Sequence, residues 1–497
     1  MSHAVLSPPD HAPATGARRP GLTLTVLAIA CVAYVLQQTL VVPAIPNFQR
    51  DLHTSATWAA WVFTGFLLTS AVVTTPLGKL GDTYGKRRLL VISLGIFALG
   101  TVAAALANSI EFLIAARALQ GAAGAIFPLS FGIIRDEFPP ARVGVALGLL
   151  SATFGVGAGI GLVLSGVILQ GLSWHWLFWF GAMPVVVALL LVWRLIPESP
   201  VRTPSRFDGW GVLTLSLGLA GVLIALSEGE QWGWLSGMTL GLFAISLLVL
   251  ALWVWVETKV PDPMMDMRVM RQRAVFWTNV LAVVVGFSMY GTYLLMPTLV
   301  QLGHGLPPAL ADRVSFGFSG SVIVAGLYLV PATITMLVVG PLGGALEPRV
   351  GARALTFVGL LAIAVAAFLL AVAHTEAWQL ILAIGILGIG VGLVYSMLAK
   401  LIVDAVAPSV TGVAMGMNTV MRTVGGTIGG QLSAAFLTSF TVAGTSLPAE
   451  KGFTLTFLVA GIVALVGLLA VLPIPRGARA PAESRLPEPL LADAEVG

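Results

Sequence analysis

The sequence predicts an all-α integral membrane protein of fourteen transmembrane helices, two pseudo-symmetric six-helix bundles with two extra helices between them, both termini cytoplasmic. Three observations predict it. First, the 497-residue chain is 57% hydrophobic and only 10% charged, whereas a soluble domain is about half apolar and about a quarter charged. Second, it breaks into fourteen apolar runs, each close to the roughly 20 residues that a helix needs to cross a bilayer. Third, with the tails and every second loop assigned to the cytoplasm, twenty-one of the 26 Lys and Arg fall inside. Only Arg50, Arg313 and Lys451 fall outside, and Arg117 and Arg422 lie within spans. Such a partition is what the positive-inside rule produces when count and orientation are both right.

In chain order, residues 1–21 are rich in Pro, Ala and Ser and read as a disordered cytoplasmic tail. The apolar run from residue 22 continues past Cys31 to about Pro46, so it reads as an uncleaved first span rather than a signal sequence following Arg18 and Arg19. The spans are expected at 22–45, 58–77, 89–107, 111–131, 143–169, 175–196, 210–227, 238–256, 275–300, 321–345, 354–373, 378–398, 411–438 and 453–473. Residues 476–497 form a second polar, Pro-containing tail. The implied domains are an N-terminal bundle over 22–200, two inserted helices over 201–260, and a C-terminal bundle over 261–475.

A weak internal repeat supports the duplication. Gly344, Gly351 and Arg353 reproduce the spacing of Gly78, Gly85 and Arg87, and paired bundles around a central cleft are the usual plan of secondary transporters. Composition also excludes other classes. One cysteine allows no intrachain disulfide framework, and no Cys/His spacing fits a metal site. Basic residues scattered between apolar spans argue against nucleic acid. No G-x-x-x-x-G-K-[ST] phosphate loop exists for a primary pump, and no titratable cluster at one depth marks an enzyme. No cofactor is expected; the partners are lipid, a small-molecule substrate and protons. A lipid scramblase or membrane enzyme is the alternative from a different class.

The most specific stretch is Gly78–Leu90, GKLGDTYGKRRLL, where Lys79, Asp82, Lys86, Arg87 and Arg88 crowd between two apolar runs. A tight turn at the water boundary accounts for it, with Gly78 and Gly85 letting helix ends approach. The pattern G-x-L-x-D-x-x-G-x-R-R resembles the loop between the second and third helices of the major facilitator superfamily. Phe207-Asp208-Gly-Trp-Gly and the following Ala225–Trp234 segment are similar to the inserted pair of its fourteen-helix drug:proton antiporter family. The resemblance covers about 22–473. It implies a cytoplasmic gate of Gly78, Asp82, Gly85, Lys86, Arg87 and Arg88, with Arg135 and Asp136 after the fourth helix as relay partners; the simpler alternative is a basic loop that only sets topology. Thr83 stands where the family is usually basic.

Four further features carry chemistry. Arg117 with Gln120 and Gly121 resembles the family's R-x-x-Q-G motif, implicated in proton coupling; the alternative is an arginine snorkelling outward. Arg422 lies near mid-membrane beside Asn418, where a cation is costly unless it faces a cleft or finds partners. Gly155, Gly157, Gly159, Gly161, Ser165 and Gly166 form a small-residue ladder suited to close helix packing. They resemble the antiporter motif G-x-x-x-G-P-x-x-G-G, with Leu162 at the proline position. The first span resembles L-D-x-T-x-x-N-x-A-L-P, with Gln37 in place of the titratable aspartate. Tyr34, Gln37, Gln38, Asn279, Tyr290, Tyr293, Tyr395 and Asn418 are expected to face the cleft among Phe and Met, a lining suited to amphiphilic organic molecules. The resemblance implies proton-coupled, alternating-access export of hydrophobic or amphiphilic compounds, including drugs and antibiotics, across the cell inner (cytoplasmic) membrane. A uniporter, or an exchanger of an organic anion or lipid-like metabolite, is the alternative, because no Asp or Glu lies near any midplane.

Overall fold

The computed structural model describes residues 20–199, 201, 208–302, 316–443, 445 and 447–475. The expected tails lie outside these, except Pro20 and Gly21, which open the first helix; Phe207 lies outside as well. Among the described residues the chain is helical, with one isolated bridge, Thr441 to Pro448, and no named strand. In a bilayer this is expected, because a helix satisfies its own backbone donors and acceptors.

Among the described residues, thirteen helical segments are long and apolar enough to cross a membrane. They are α1 (Pro20–Asp51), α2 (Ala56–Tyr84), α3 (Lys86–Ala105), α4 (Ile110–Glu137), α5 (Pro140–Gly171), α6 (His175–Leu195), α7 (Gly209–Trp232), α8 (Gly237–Glu257), α9 (Arg273–Gln301), α10 (Val322–Val350), α11 (Ala352–Val372), α12 (Ala377–Ala405) and α14 (Glu450–Val471). The helix between the last two, α13 (Thr411–Ser439), is 29 residues long. Its Thr, Asn418 and Arg422 dilute its hydropathy, and Thr411, Asn418, Arg422 and Ser433 are buried against protein.

Three boundaries differ from the sequence expectation, each for a local reason. α1 extends to Asp51 through a tight turn at Val42–Ala44, which Pro43 and Pro46 punctuate. α4 runs six residues further than expected, to Glu137, and is interrupted between Gly121 and Ile126. Gly121 and Gly124 there press against Thr69 and Ser70 of α2, leaving no room for a Cβ. Arg135 and Asp136 therefore sit in the last turn of α4 rather than beyond it. Finally, the charged turn has no loop. α2 ends at Tyr84, α3 begins at Lys86, and Gly85 alone makes the corner at φ +115°. Gly351 repeats it between α10 and α11 at φ +88°, a backbone region that glycine adopts without a Cβ penalty.

The bundles meet chiefly along two helix pairs, α2 with α13 and α5 with α10, with α5–α12 and α4–α13 also in contact. If α9–α14 repeat α1–α6, these are one pair seen twice. Each closes through backbone at one end of the molecule. A Cβ on Gly412 would lie 2.6 Å from the Gly78 carbonyl oxygen, and one on Gly144 would lie 2.9 Å from that of Gly344. α7 and α8 pack on each other, and α7 packs on α2 and α13, joined by an apolar cluster of Leu215, Leu219, Trp253, Val413 and Met417.

Candidate functional site: a latch and a central cavity

At the Gly85 end lies a buried charge cluster. Lys86 is fully buried and places Nζ 2.7 Å from Asp136 Oδ2 and 3.4 Å from Asp82 Oδ1. Its stem passes over Gly132 of α4, where a Cβ would sit 2.8 Å from the lysine methylenes. Asp82 then crosses to the other bundle. Its Oδ1 accepts from the Gly412 amide at 3.1 Å and its Oδ2 from the Val413 amide at 3.0 Å. Those amides belong to the first turn of α13, which has no internal acceptor for them and carries partial positive charge. A carboxylate of one bundle thus caps a helix of the other. Arg135 makes a second crossing, donating to the Val406 carbonyl at 2.6 Å, to Thr411 Oγ1 at 2.5 Å and to the Ala407 carbonyl at 3.3 Å.

Arg87 and Arg88 do not join this crossing. Their backbone amides donate to Glu198 Oε1 and Oε2 at 3.1 and 3.2 Å, so Glu198 caps α3 within its own bundle. The Arg87 guanidinium donates to the Trp193 carbonyl. Ser199 donates to Asp136 Oδ2 at 2.5 Å, tying the segment after α6 to the same cluster.

Deeper in, a cavity of about 80 Å³ lies between the bundles, lined by Gln38, Phe63, Phe154, Leu162, Met289, Tyr290, Tyr293 and Met336. It is far smaller than the roughly 300–1,000 Å³ of a drug-sized site. Gln38 donates across it to the Tyr290 hydroxyl at 3.5 Å. Beside it, the Arg422 guanidinium lies 4.5 Å from the Phe154 ring centre and 4.6 Å from that of Tyr395, over two aromatic residues, one from each bundle, that meet each other edge-on at 5.7 Å. The Tyr395 hydroxyl reaches Met289 Sδ at 3.2 Å. With both crossings made, the bundles are joined at the latch end.

A sequence match to the Major Facilitator Superfamily runs over residues 27–430, with a second over 314–492. The chain belongs to the Major Facilitator Superfamily. It is therefore a multi-pass membrane transporter of small molecules, not an enzyme. It is 29% identical over 393 residues to the tetracenomycin C resistance and export protein of Streptomyces glaucescens, covering 77% of this chain and 70% of that one. It is 28% identical to the multidrug transporter protein MdtP of Bacillus subtilis over 79% of this chain and 70% of the relative. With the methylenomycin A resistance protein of Streptomyces coelicolor it shares 29% identity over 79% and 81%. The human organic anion transporter MFSD10 superposes with a TM-score of 0.64 at 16% identity, over 91% of this chain and 99% of that one, a likeness of fold.

Within this superfamily transporter the other expected residues separate into groups. Tyr34 bonds Ser70 at 2.6 Å and packs on Phe66, Phe97 and Phe127, inside the first bundle. Gln37 turns its amide toward Gly181 of α6, away from the cavity. Arg117 is fully buried, donating to the Val62 carbonyl at 3.0 Å, to the Gln37 carbonyl at 3.4 Å and to Gln120, which donates on to Thr101 at 2.7 Å. Asn418 donates to Asn279 at 3.0 Å and to the Thr278 carbonyl at 3.3 Å, joining α13 to α9. Tyr290 and Tyr293 line the cavity.

The glycine ladder proves to be two ladders. Gly155, Gly159 and Gly166 face Met336, Thr333 and Ile323 of α10, whereas Gly157 and Gly161 face Val35 and Thr39 of α1. Ser165 joins the second set through its 2.7 Å bond to the Leu40 carbonyl. Sequence reasoning missed Glu198, Ser199 and Thr411. For Glu198 a signal existed, an acid just past the sixth span in a chain where acids are scarce; for Thr411 there was none.

Proposed function

We propose that this chain exports hydrophobic or amphiphilic small molecules, drugs and antibiotics among them, by alternating access coupled to protons. In this reading it has fourteen spans, bundles at 22–200 and 261–475, inserted helices at 201–260, and cytoplasmic tails at 1–21 and 476–497. It sits in the cell inner membrane with the latch facing the cytoplasm. The observation that carries the reading is the Asp82 carboxylate held by the Gly412 and Val413 amides, a polar bond between two bodies that must part for substrate to enter. The names of the relatives, which include resistance, multidrug transport and export, support the substrate class.

Protonation supplies a switch at this point. A neutral carboxyl accepts less strongly than a carboxylate, so a proton on Asp82 frees the first turn of α13 and releases Lys86 toward Asp136. Asp82 and Asp136 are the coupling carboxylates of this scheme, with Arg117 relaying cavity state to α2 through Val62. Uniport or exchange of an organic anion is the second reading, favoured by Gln37 at the position where the family resemblance calls for aspartate. One experiment separates them. Purified protein in liposomes, given an imposed pH gradient, accumulates a fluorescent amphiphile under the coupled scheme; transport that ignores the gradient favours the second reading, and no transport at all sinks both.

A further inference from the structure

Resting on the exporter reading, we infer that this site selects acidic aromatic amphiphiles, compounds carrying a carboxylate, sulfonate or ionised phenol on a ring system, and that Arg422 supplies the countercharge. Two cations are buried, Arg117 inside the first bundle and Arg422 where the two bundles meet. Among the described residues, no Asp or Glu forms an ion pair with either, and no carboxylate lines the cavity. A buried cation normally finds an anion or a full set of acceptors.

The two arginines meet that need differently. Arg117 is saturated except at Nη2, which is buried without an acceptor. Arg422 carries five N–H donors, yet its described partners are only the faces of Phe154 and Tyr395. Ring faces attract a guanidinium electrostatically but accept no in-plane hydrogen bonds. The fork that matches a carboxylate or sulfonate bidentately is therefore open.

Geometry then links this fork to the substrate. Phe154 is at once a wall of the 80 Å³ cavity and one of the two rings under the Arg422 guanidinium. Any drug-sized ligand must enlarge that cavity, which displaces the Phe154 wall from the guanidinium it touches. The guanidinium then loses its aromatic partner where the ligand arrives. An aromatic acid replaces both halves of the lost contact, its ring taking the place of Phe154 and its anion filling the open donors. A cationic amphiphile of the same size meets the Arg422 guanidinium and no carboxylate, so it is rejected.

The test uses three probes on full-length protein in nanodiscs: 8-anilino-1-naphthalenesulfonate, its uncharged parent N-phenyl-1-naphthylamine, and cationic ethidium. Binding is followed by fluorescence and by thermal stabilisation. The expected order is acid tightest, neutral parent weaker, cation weakest. In R422Q the acid loses tenfold or more in affinity while the neutral parent changes less than threefold, and R422K recovers part of the loss. Equal binding of acid and parent, preference for ethidium, or an R422Q loss equal for both naphthyl probes would overturn the inference. Export of the parent or of ethidium from liposomes with the acid excluded refutes the acid preference and leaves the exporter reading standing. Failure to export any of the three counts against the exporter reading itself.

Discussion

Replacing Asp82 with asparagine is the sharpest perturbation of the latch. The wild-type carboxylate accepts two amide bonds at 3.1 and 3.0 Å and faces Lys86 at 3.4 Å. Asparagine keeps one acceptor oxygen and turns an NH₂ group toward the other amide, so donor meets donor. A hydrogen bond to a charged group contributes about 1.5–3 kcal/mol and a neutral one about 1 kcal/mol. Losing one charged bond and weakening the other therefore costs the closed state about 3 kcal/mol. At 1.4 kcal/mol per decade this shifts the closed-to-open ratio by about a hundredfold. Lys86 stays paired with Asp136 at 2.7 Å, so the first bundle should fold normally. The assay is alkylation of a single cysteine at Ser409, beside the crossing, with buried Cys31 replaced by alanine. Asp82→Asn should raise the rate by at least tenfold at unchanged membrane abundance. A rate within twofold of the parent would refute the claim that Asp82 holds the bundles together.

Three further outcomes follow from the same geometry. Gly148→Ala should abolish export, because a Cβ there overlaps the Gly340 backbone and wedges α5 from α10; Gly95→Ala, which meets nothing within 4 Å, should leave efflux untouched in the same cells. Glu198→Ala removes the cap of α3, at about 1–2 kcal/mol. It should lower the melting temperature in detergent by roughly 2–4 °C without changing Ser409 alkylation, so a rise in alkylation would place Glu198 in the latch after all. Arg117→Lys cannot hold the Val62 carbonyl, the Gln37 carbonyl and Gln120 at once. Drug resistance of cells carrying it should fall to the empty-vector level with normal protein abundance, and retained resistance would remove Arg117 from the mechanism.

Much of this architecture was legible in sequence because a bilayer simplifies the code. Apolar runs mark helices, and lone charges such as Arg117 and Arg422 stand out against them. Among the described residues thirteen helices meet the length and apolarity needed for a span; α13 is less apolar because it carries Thr, Asn418 and Arg422. Direction was harder to read. Gln37 and Gln38 are neighbours in sequence, yet one points at α6 and the other into the cavity, a 100° difference that composition does not encode. Partner choice was harder still. Gly78–Arg88 announced a charged corner, but that Asp82 would meet backbone amides of α13, some 330 residues away, depends on how two bundles dock.

The most direct test of the account is a distance between the bundles at the latch end. Spin labels at Tyr84, exposed at the α2 corner, and at Ser409, before α13, report it in nanodiscs by pulsed electron resonance. The account predicts a dominant short distance in the resting protein and a second, longer population that grows when the pH is lowered or Asp82 is replaced by asparagine. A single distribution, unmoved by either change, would contradict it.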